Sequence, residues 1–218
     1  AASDVYKRQE NYRINSFHLG EGSPKQKFRA NMDAIYTLKA LENQHRDATP
    51  EEQETLANYV GWGGLADAFD AEKTAWTGEY KELKAALTEE EYAAARASTL
   101  NAHYTSPTVI RAIYEALDGM GFEKGNILEP SMGVGNFFGM LPDSMLGSRL
   151  YGVELDSITG RIAQKLYPQA EIKVAGFETT DRRDFYDLAV GNVPFGNYRV
   201  SDKPYDKLGF SIHNYFFA

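Results

Sequence analysis

The chain of 218 residues contains no cysteine, so disulfides, thiolate metal sites and cysteine nucleophiles are excluded. It has no apolar run of about 18 residues and no signal-peptide pattern at its N-terminus, and we therefore predict no membrane partner and a cytoplasmic location. The histidines are scattered, which predicts no metal site; they are His18, His45, His103 and His213.

An excess of basic residues is also missing. The net charge is −8, and acidic residues outnumber basic ones on both sides of residue 100. A domain that grips nucleic acid by itself normally carries a basic surface. The chain ends in the aromatics Tyr215, Phe216 and Phe217, which resemble the opening of a buried helix. We therefore expect a fragment of a longer protein, in which regions absent from this chain make most contacts to any nucleic acid.

The hydrophobic periodicity and the helix-cap signals divide the sequence into three predicted parts. Residues 1–22 show no periodicity and are expected to be a loose tail, whose first ten residues need not be native. Residues 23–100 are predicted to be all-helical, because Ser23, Thr49 and Thr88 each stand where a helix cap belongs. Within this part, a short helical stretch is predicted at 65–75. Residues 101–218 form the third part, in which strands and helices alternate.

That alternation predicts an α/β fold with a parallel sheet. Strands are predicted at 126–129, 150–154, 171–175 and 186–191, and helices at 107–117, 136–141 and 157–166, the last with Asp156 as its N-cap. Right-handed crossovers bring the carboxyl ends of all strands to one edge, where open α/β sheets bind ligands.

A glycine turn follows the first predicted strand. Gly133 and Gly135 permit close approach of a ligand to the backbone, although Phe138 stands where a dinucleotide fingerprint requires its third glycine. Glu129, at the end of the strand, can hold a cationic group. An ordinary strand-to-helix turn is the alternative.

Two further strand ends carry candidate ligand contacts. Glu154 lies 19 residues after Gly135, which matches the acidic residue that takes ribose hydroxyls; a solvated strand end is the alternative. Phe177 is placed to lie against an adenine ring with Glu178 near its amino group, unless Phe177 is a core residue in a loop.

The fourth predicted strand runs into Asn192-Val193-Pro194-Phe195. An Asn side-chain oxygen and the next backbone carbonyl can together hold an NH₂ group and leave its lone pair free. Pro194 keeps Val193 extended, and Phe195 offers a stacking face to a flipped base. A plain Asn-x-Pro turn is the alternative.

From His103 to Ala218 these motifs resemble those of the S-adenosylmethionine-dependent N6-adenine DNA methyltransferases. The first motif of that family, acidic-Pro-Ala/Ser-x-Gly-x-Gly-x-Phe, is filled by Glu129, Pro130, Ser131, Gly133, Gly135 and Phe137. The catalytic motif, Asn/Asp/Ser-Pro-Pro-Tyr/Phe, is matched by Asn192, Pro194 and Phe195 and departs at Val193. The segment His103-Tyr104-Thr105 resembles the motif that precedes the cofactor loop.

The resemblance implies a Rossmann-like methyltransferase sheet, incomplete at its C-terminus and preceded by a helical region. It implies S-adenosylmethionine as cofactor and DNA as partner, with Asn192 and the Val193 carbonyl holding the target amine. Tyr104 and Thr105 would close over the amino-acid end of the cofactor, unless they only lead into a helix cap.

The helical region carries Gly61-Trp62-Gly63-Gly64, which we interpret as a packing plug rather than a lid. This region is similar to large phage and conjugative-element proteins in which a methylase precedes a helicase-like part, which implies a role in antirestriction. Two alternatives stay open: methyl transfer to a protein glutamine or an RNA base, and a methylase-like scaffold without catalysis.

Overall fold

The computed structural model describes residues 9–15, 20–100, 104–196 and 199–218. The helices are α1 Pro24–Asn43, α2 Pro50–Ala57, α3 Thr77–Ala86, α4 Glu89–Ala97, α5 Pro107–Gly119, α6 Asn136–Gly139, α7 Ser157–Leu166 and α8 Ile212–Phe217. The strands are β1 Asn126–Glu129, β2 Arg149–Glu154, β3 Glu171–Val174 and β4 Leu188–Ala189.

Three helices of the N-terminal region begin at the predicted caps. The side chains of Ser23, Thr49 and Thr88 each accept a hydrogen bond from the third backbone N–H of the helix, and the third side chain bonds back. These reciprocal bonds satisfy N–H groups that a helix start leaves unpaired. The predicted helix starts are thereby confirmed.

One local prediction in this region was wrong, and one helix was not located from the sequence. The single helical stretch expected at 65–75 is instead two short 3₁₀ turns, Ala66–Phe69 and Thr74–Trp76. Helix α3 was not predicted at all, because no side chain caps its start and its N-cap position is Trp76. Packing rather than a local signal therefore sets this helix.

The Gly-Trp segment lies at the centre of the helical core. Trp62 is 1% exposed, and its ring contacts those of Phe28, Tyr59 and Phe69 at centroid distances of 6.0, 6.3 and 5.3 Å. Asn31, fully buried on α1, donates to the Gly61 carbonyl and accepts from the Val60 N–H, both within 2.8 Å. The segment is thus fixed by packing and by a side-chain clasp, as a plug would be.

The four strands form one parallel sheet in the order β3-β2-β1-β4. In the centre, Ile127 of β1 pairs with Leu150 of β2 on one side and Leu188 of β4 on the other. The predicted α/β fold with a parallel sheet is confirmed. Strand β4 has two residues, Leu188 and Ala189, rather than the six expected at 186–191.

The helical region and the sheet share one hydrophobic core, which runs from Phe28 on α1 to Tyr167 after α7. At their junction Arg161 of α7 bonds both Glu42 of α1 and Glu91 of α4, and Glu91 also meets Lys39 at 2.8 Å. The boundary expected at residue 100 is therefore a change of secondary structure inside a continuous core.

The tail was expected to be loose, and residues 9–15 correct that expectation. The Tyr12 N–H donates to the Leu166 carbonyl at 2.8 Å, and the Ile14 N–H donates to the Gly139 carbonyl at 2.9 Å. Gln53 of α2 also donates to the Glu10 carbonyl. This segment is pinned because it satisfies backbone groups at the ends of α6 and α7. Residues 1–8 and 16–19 of the expected tail lie outside the described part.

Candidate active site at the carboxyl edge of the sheet

The glycine turn lies where β1 meets α6. Gly133 has φ +56° and Gly135 has φ +84°, which are backbone angles that favour glycine. A Cβ on Gly133 would lie 2.8 Å from Cε1 of Tyr104, and one on Gly135 would lie 2.5 Å from Cε2 of Tyr167. Both glycines are therefore required by conformation and by space.

Glu129 ends β1 directly before this turn. The residue is 3% exposed, and among the described residues its Oε2 atom has no hydrogen-bond partner. Burial, and secondly the charge of Glu154, raises the pKa of the Glu129 carboxyl well above its usual range. A buried acceptor without a partner, at the edge where ligands bind, fits a donor group on a ligand.

Glu154 ends β2, and its carboxyl group hydrogen-bonds the backbone of the glycine turn. Its Oε2 accepts from the Gly133 N–H and its Oε1 accepts from the Asp156 N–H, both at 2.8 Å. Burial raises the pKa of the Glu154 carboxyl to about 7, against the lowering effect of these two hydrogen bonds. A carboxylate offers about four lone-pair positions, so Glu154 retains capacity for ligand hydroxyls. Asp156 caps α7 through the Thr159 N–H, as predicted.

The end of β4 lies beside the glycine turn. The Ser131 hydroxyl donates to the backbone carbonyl of Asn192 at 2.9 Å. A Cβ on Gly191 would lie 3.4 Å from Cγ of Glu129, which is ordinary contact. The two segments that the sequence singled out therefore meet through a direct hydrogen bond, 61 residues apart in the chain.

The rest of the Asn192 segment extends toward α8. Val193 and Pro194 are partly buried, whereas Phe195 is 48% exposed. The Phe195 ring lies 5.5 Å from the His213 ring at an angle of 51°. One aromatic face of this segment is thus accessible at the edge of the sheet.

Phe177 follows β3 and faces the chain's own C-terminal helix. Its ring stacks on Phe216 at a centroid distance of 5.0 Å and an angle of 9°. The Glu178 carboxyl folds back over Gly176, where a Cβ would lie 2.1 Å from Oε1. The sequence placed Phe177 against a ligand ring; in the structure Phe216 covers one face of it.

Tyr104 packs its ring on Gly133. Burial raises the pKa of the Tyr104 hydroxyl well above its usual range, so this group stays protonated. Thr105 leads directly into Ser106, the cap of α5, and is partly buried. His103 lies outside the described residues.

One candidate does not reach the edge. Phe137 is 2% exposed, and its ring packs against Tyr114 at 6.2 Å, while the Tyr114 hydroxyl donates to its carbonyl at 2.8 Å. Phe137 therefore holds α6 against α5. Pro130, which also belongs to the first motif, is buried directly after Glu129.

Sequence reasoning missed one contributor, Phe216 of α8, which covers one face of Phe177. No motif marks this residue.

Residues 9–15, 20–100, 104–196 and 199–218 hold no group of three or more His, Asp or Glu arranged for a metal ion. The helices in the same ranges include none that is long and apolar enough to cross a bilayer. A cavity of about 460 Å³ lies away from this edge, between Arg13, Arg111 and Leu141.

The chain is similar in sequence to known proteins. Over 92 residues the chain is 34% identical to the type II methyltransferase M.CvrRI of Paramecium bursaria Chlorella virus XZ-6E, which covers 42% of this chain and 24% of that protein. The chain is related to the S-adenosylmethionine-dependent methyltransferases. The resemblance seen in the motifs is thereby confirmed at the level of methyltransferases.

A second relative covers more of the chain. Defense against restriction protein B of Escherichia phage P1 is 30% identical over 182 residues, which is 81% of this chain and 6% of that protein. The chain therefore spans only a small part of either relative. No protein-family model matches the chain.

Among solved structures, a Listeria monocytogenes protein assigned to the class I S-adenosylmethionine-dependent methyltransferases has a TM-score of 0.38 and 13% identity. The alignment covers 80% of this chain and 61% of that one. This likeness is too distant to carry an argument, and the fold assignment stands on the sheet order itself.

Proposed function

We propose that this chain is the cofactor-binding half of an S-adenosylmethionine-dependent N6-adenine DNA methyltransferase within a larger mobile-element protein. The hydrogen bond from Ser131 to the Asn192 carbonyl is the observation that carries this proposal. It sets the amine-holding segment beside the glycine turn, so that donor and acceptor groups would meet at one edge.

The residues at this edge fit the cofactor. Glu129 presents a buried oxygen without a partner, which suits the amino group of the methionine part. The glycine turn borders this edge, and Glu154, which bonds the turn, is placed for ribose hydroxyls. Tyr104 and Thr105 border the turn, and Phe177 and Glu178 stand at the next strand end for the adenine ring. When bound, S-adenosylmethionine supplies an electrophilic methyl group.

The chain's own residues would present the acceptor. The Asn192 side-chain oxygen and the Val193 carbonyl accept hydrogen bonds from an exocyclic NH₂ group and leave its lone pair free. Pro194 restricts Val193 to extended backbone angles, and exposed Phe195 stacks on the base. Positioning of this kind is the main requirement of an in-line displacement.

The charge distribution bears on the DNA partner. A net charge of −8 gives this chain little attraction to phosphates, so the main DNA contacts belong to other regions of the full protein. The name of the phage P1 relative refers to defence against restriction. By that similarity, the full protein would protect mobile DNA from restriction enzymes.

Methyl incorporation into unmodified DNA by the full protein tests this function. We expect labelled methyl groups from S-adenosylmethionine to appear on adenine N6, and Asn192→Ala to reduce the rate about 100-fold because the target amine is no longer held. Asn43→Ala, at the exposed end of α1, is the matched control and leaves the rate unchanged.

The other outcomes identify the alternatives. Label in RNA or in protein glutamine, but not in DNA, would replace the substrate and keep the chemistry. Cofactor binding without transfer to any of these acceptors would support a non-catalytic scaffold, which Val193 and the acidic surface favour.

A further inference from the structure

We propose that the N-terminal strap, residues 9–15, is a positioning element of the cofactor site, which acts through Tyr167 on Gly135 of the glycine turn. The inference rests on the proposed function for the identity of the ligand. The connection from the strap to the turn stands on contacts within the chain and is testable without ligand.

Helix α6, which follows the turn directly, has little stability of its own. It comprises four residues, Asn136–Gly139, and no side chain caps its start. A single helical turn is unfavourable in isolation, because nucleation fixes several residues in return for one hydrogen bond. Contacts from distant parts of the chain therefore decide whether α6 and the turn keep their shape.

The ring of Tyr167 supplies such a contact at Gly135. The residue is 1% exposed, and its Cε2 atom lies 2.5 Å from the position that a Cβ on Gly135 would take. The same ring meets Phe138 edge-on at a centroid distance of 5.8 Å. The hydroxyl oxygen of Tyr167 lies 2.7 Å from the Cβ position of Gly139. One side chain thus spans α6 from its N-cap to its last residue.

The strap holds the backbone on both sides of Tyr167. The Tyr12 N–H donates to the carbonyl of Leu166 at 2.8 Å, directly before Tyr167. The Asn11 side-chain oxygen accepts from the N–H of Gln169 at 2.9 Å, two residues after it. The backbone that carries the Tyr167 ring is therefore fixed at two points by the strap.

The strap also contacts the end of α6 directly. The Ile14 N–H donates to the Gly139 carbonyl at 2.9 Å, and Ile14 Cδ1 lies 2.6 Å from the Cβ position of Gly139. Arg13 donates to the Leu141 carbonyl at 2.5 Å. Because the last carbonyls of a helix have no partner inside it, these bonds satisfy groups that α6 leaves open. Ile14 and the Tyr167 hydroxyl thus enclose the same residue, Gly139.

The two glycines of the turn therefore have different supports. Gly133 is held by Tyr104 and Glu154, whereas Gly135 is held by Tyr167 and the strap. Loss of the strap contacts allows α6 to open locally, which costs less free energy than unfolding the sheet. A ligand site loses affinity when the contacts that position it loosen.

Tyr167→Leu and Ile14→Ala in this chain test the connection, with hydrogen exchange of residues 135–140 and calorimetric titration with S-adenosylmethionine as readouts. Without ligand, we expect exchange at 135–140 to accelerate about tenfold more than exchange in α1. We expect the affinity for S-adenosylmethionine to fall about tenfold in Tyr167→Leu and about threefold in Ile14→Ala.

Two control variants separate positioning from a general loss of packing. Leu83→Ala removes a fully buried side chain of α3, which packs against α1. There we expect exchange in α1 to accelerate at least as much as exchange at 135–140, and the affinity to stay within about twofold of wild type. Tyr167→Phe keeps the ring against Gly135 and retains the wild-type affinity.

Exchange at 135–140 that accelerates no more than exchange in α1, in both Tyr167→Leu and Ile14→Ala, overturns the connection. Local acceleration in Tyr167→Leu alone overturns the role of the strap. Faster local exchange with unchanged affinity overturns the positioning role. If the wild-type protein gives no binding heat, the proposed cofactor is wrong, and the exchange results alone then support or overturn the connection.

Discussion

The helical region and the carboxyl edge of the sheet differ in the kind of buried group that they leave without a partner. In the helical region, three capping boxes, the Asn31 clasp and the aromatic contacts of Trp62 fix the chain, and the unpaired Trp62 Nε1 is a neutral donor enclosed by rings. At the sheet edge Glu129 keeps an oxygen without a partner among the described residues, and Phe195 and Phe217 are exposed. Local signals that agree with the fold are typical of scaffolds, and local violations are typical of functional sites.

The largest expected effect is on the stability of the helical region. Trp62→Ala removes the ring at the centre of the aromatic core, and we expect the free energy of unfolding to fall by about 3–5 kcal/mol. Phe217→Ala at the sheet edge is the control and changes it by less than about 0.5 kcal/mol, since this residue is 83% exposed. Urea denaturation measures the free energy of unfolding of both variants. Equal losses in the two variants would contradict the difference between the two regions.

The next effect separates strain from contact at the turn. Gly133→Ala and Gly121→Ala both place a Cβ at positive φ, which costs about 1–3 kcal/mol, but only Gly133 faces the Tyr104 ring. We expect both variants to lose stability and only Gly133→Ala to lose affinity for S-adenosylmethionine. Calorimetry decides this, and an equal loss of affinity at Gly121 would contradict the assignment.

A cap tests the helical region more gently. Thr49→Ala removes the side chain that accepts from the Glu52 N–H at 3.3 Å, and we expect a loss of about 1 kcal/mol in thermal or urea unfolding. Affinity for S-adenosylmethionine should not change. A weaker affinity would show that α2 contributes to the site.

The smallest effect concerns pH. Because the pKa of Glu154 is about 7, ionisation above that value increases its capacity to accept ribose hydroxyls. Affinity for S-adenosylmethionine should rise severalfold between about pH 6 and about pH 8, and Glu154→Gln should flatten the profile. Glu123→Gln, exposed after α5, is the control.

The same pKa shift has a sign for stability. The folded chain keeps the Glu154 proton to higher pH than the unfolded chain, whose reference value is 4.5. Stability contributed by this group is therefore present below pH 4.5 and is lost as the pH rises toward 7. If the stability of a Glu154→Gln variant falls relative to that of wild type as the pH rises from 4.5 to 7, the shift is contradicted.

Local signals predicted much of this structure. The caps at Ser23, Thr49 and Thr88 and the strand-turn-helix rhythm each act over a few residues, and the structure follows them. The parallel topology predicts that the end of β4 lies near the turn after β1. The hydrogen bond from Ser131 to the Asn192 carbonyl joins these two segments in the structure.

What the sequence did not reveal depends on contacts between distant residues. Helix α3 begins without a capping side chain, and the bond of Arg161 to Glu42 joins residues 119 positions apart. The Phe177–Phe216 stack likewise has no local pattern. Such contacts arise from tertiary packing, which propensity and periodicity do not encode.

The most direct test of the central claim, that the glycine turn and the Asn192 segment form one site, is hydrogen exchange of this chain with and without S-adenosylmethionine. We predict that S-adenosylmethionine slows hydrogen exchange in both 131–137 and 188–195, and that NAD slows it in neither segment. Protection of only one segment, or protection confined to the cavity near Arg13 and Leu141, would contradict the account.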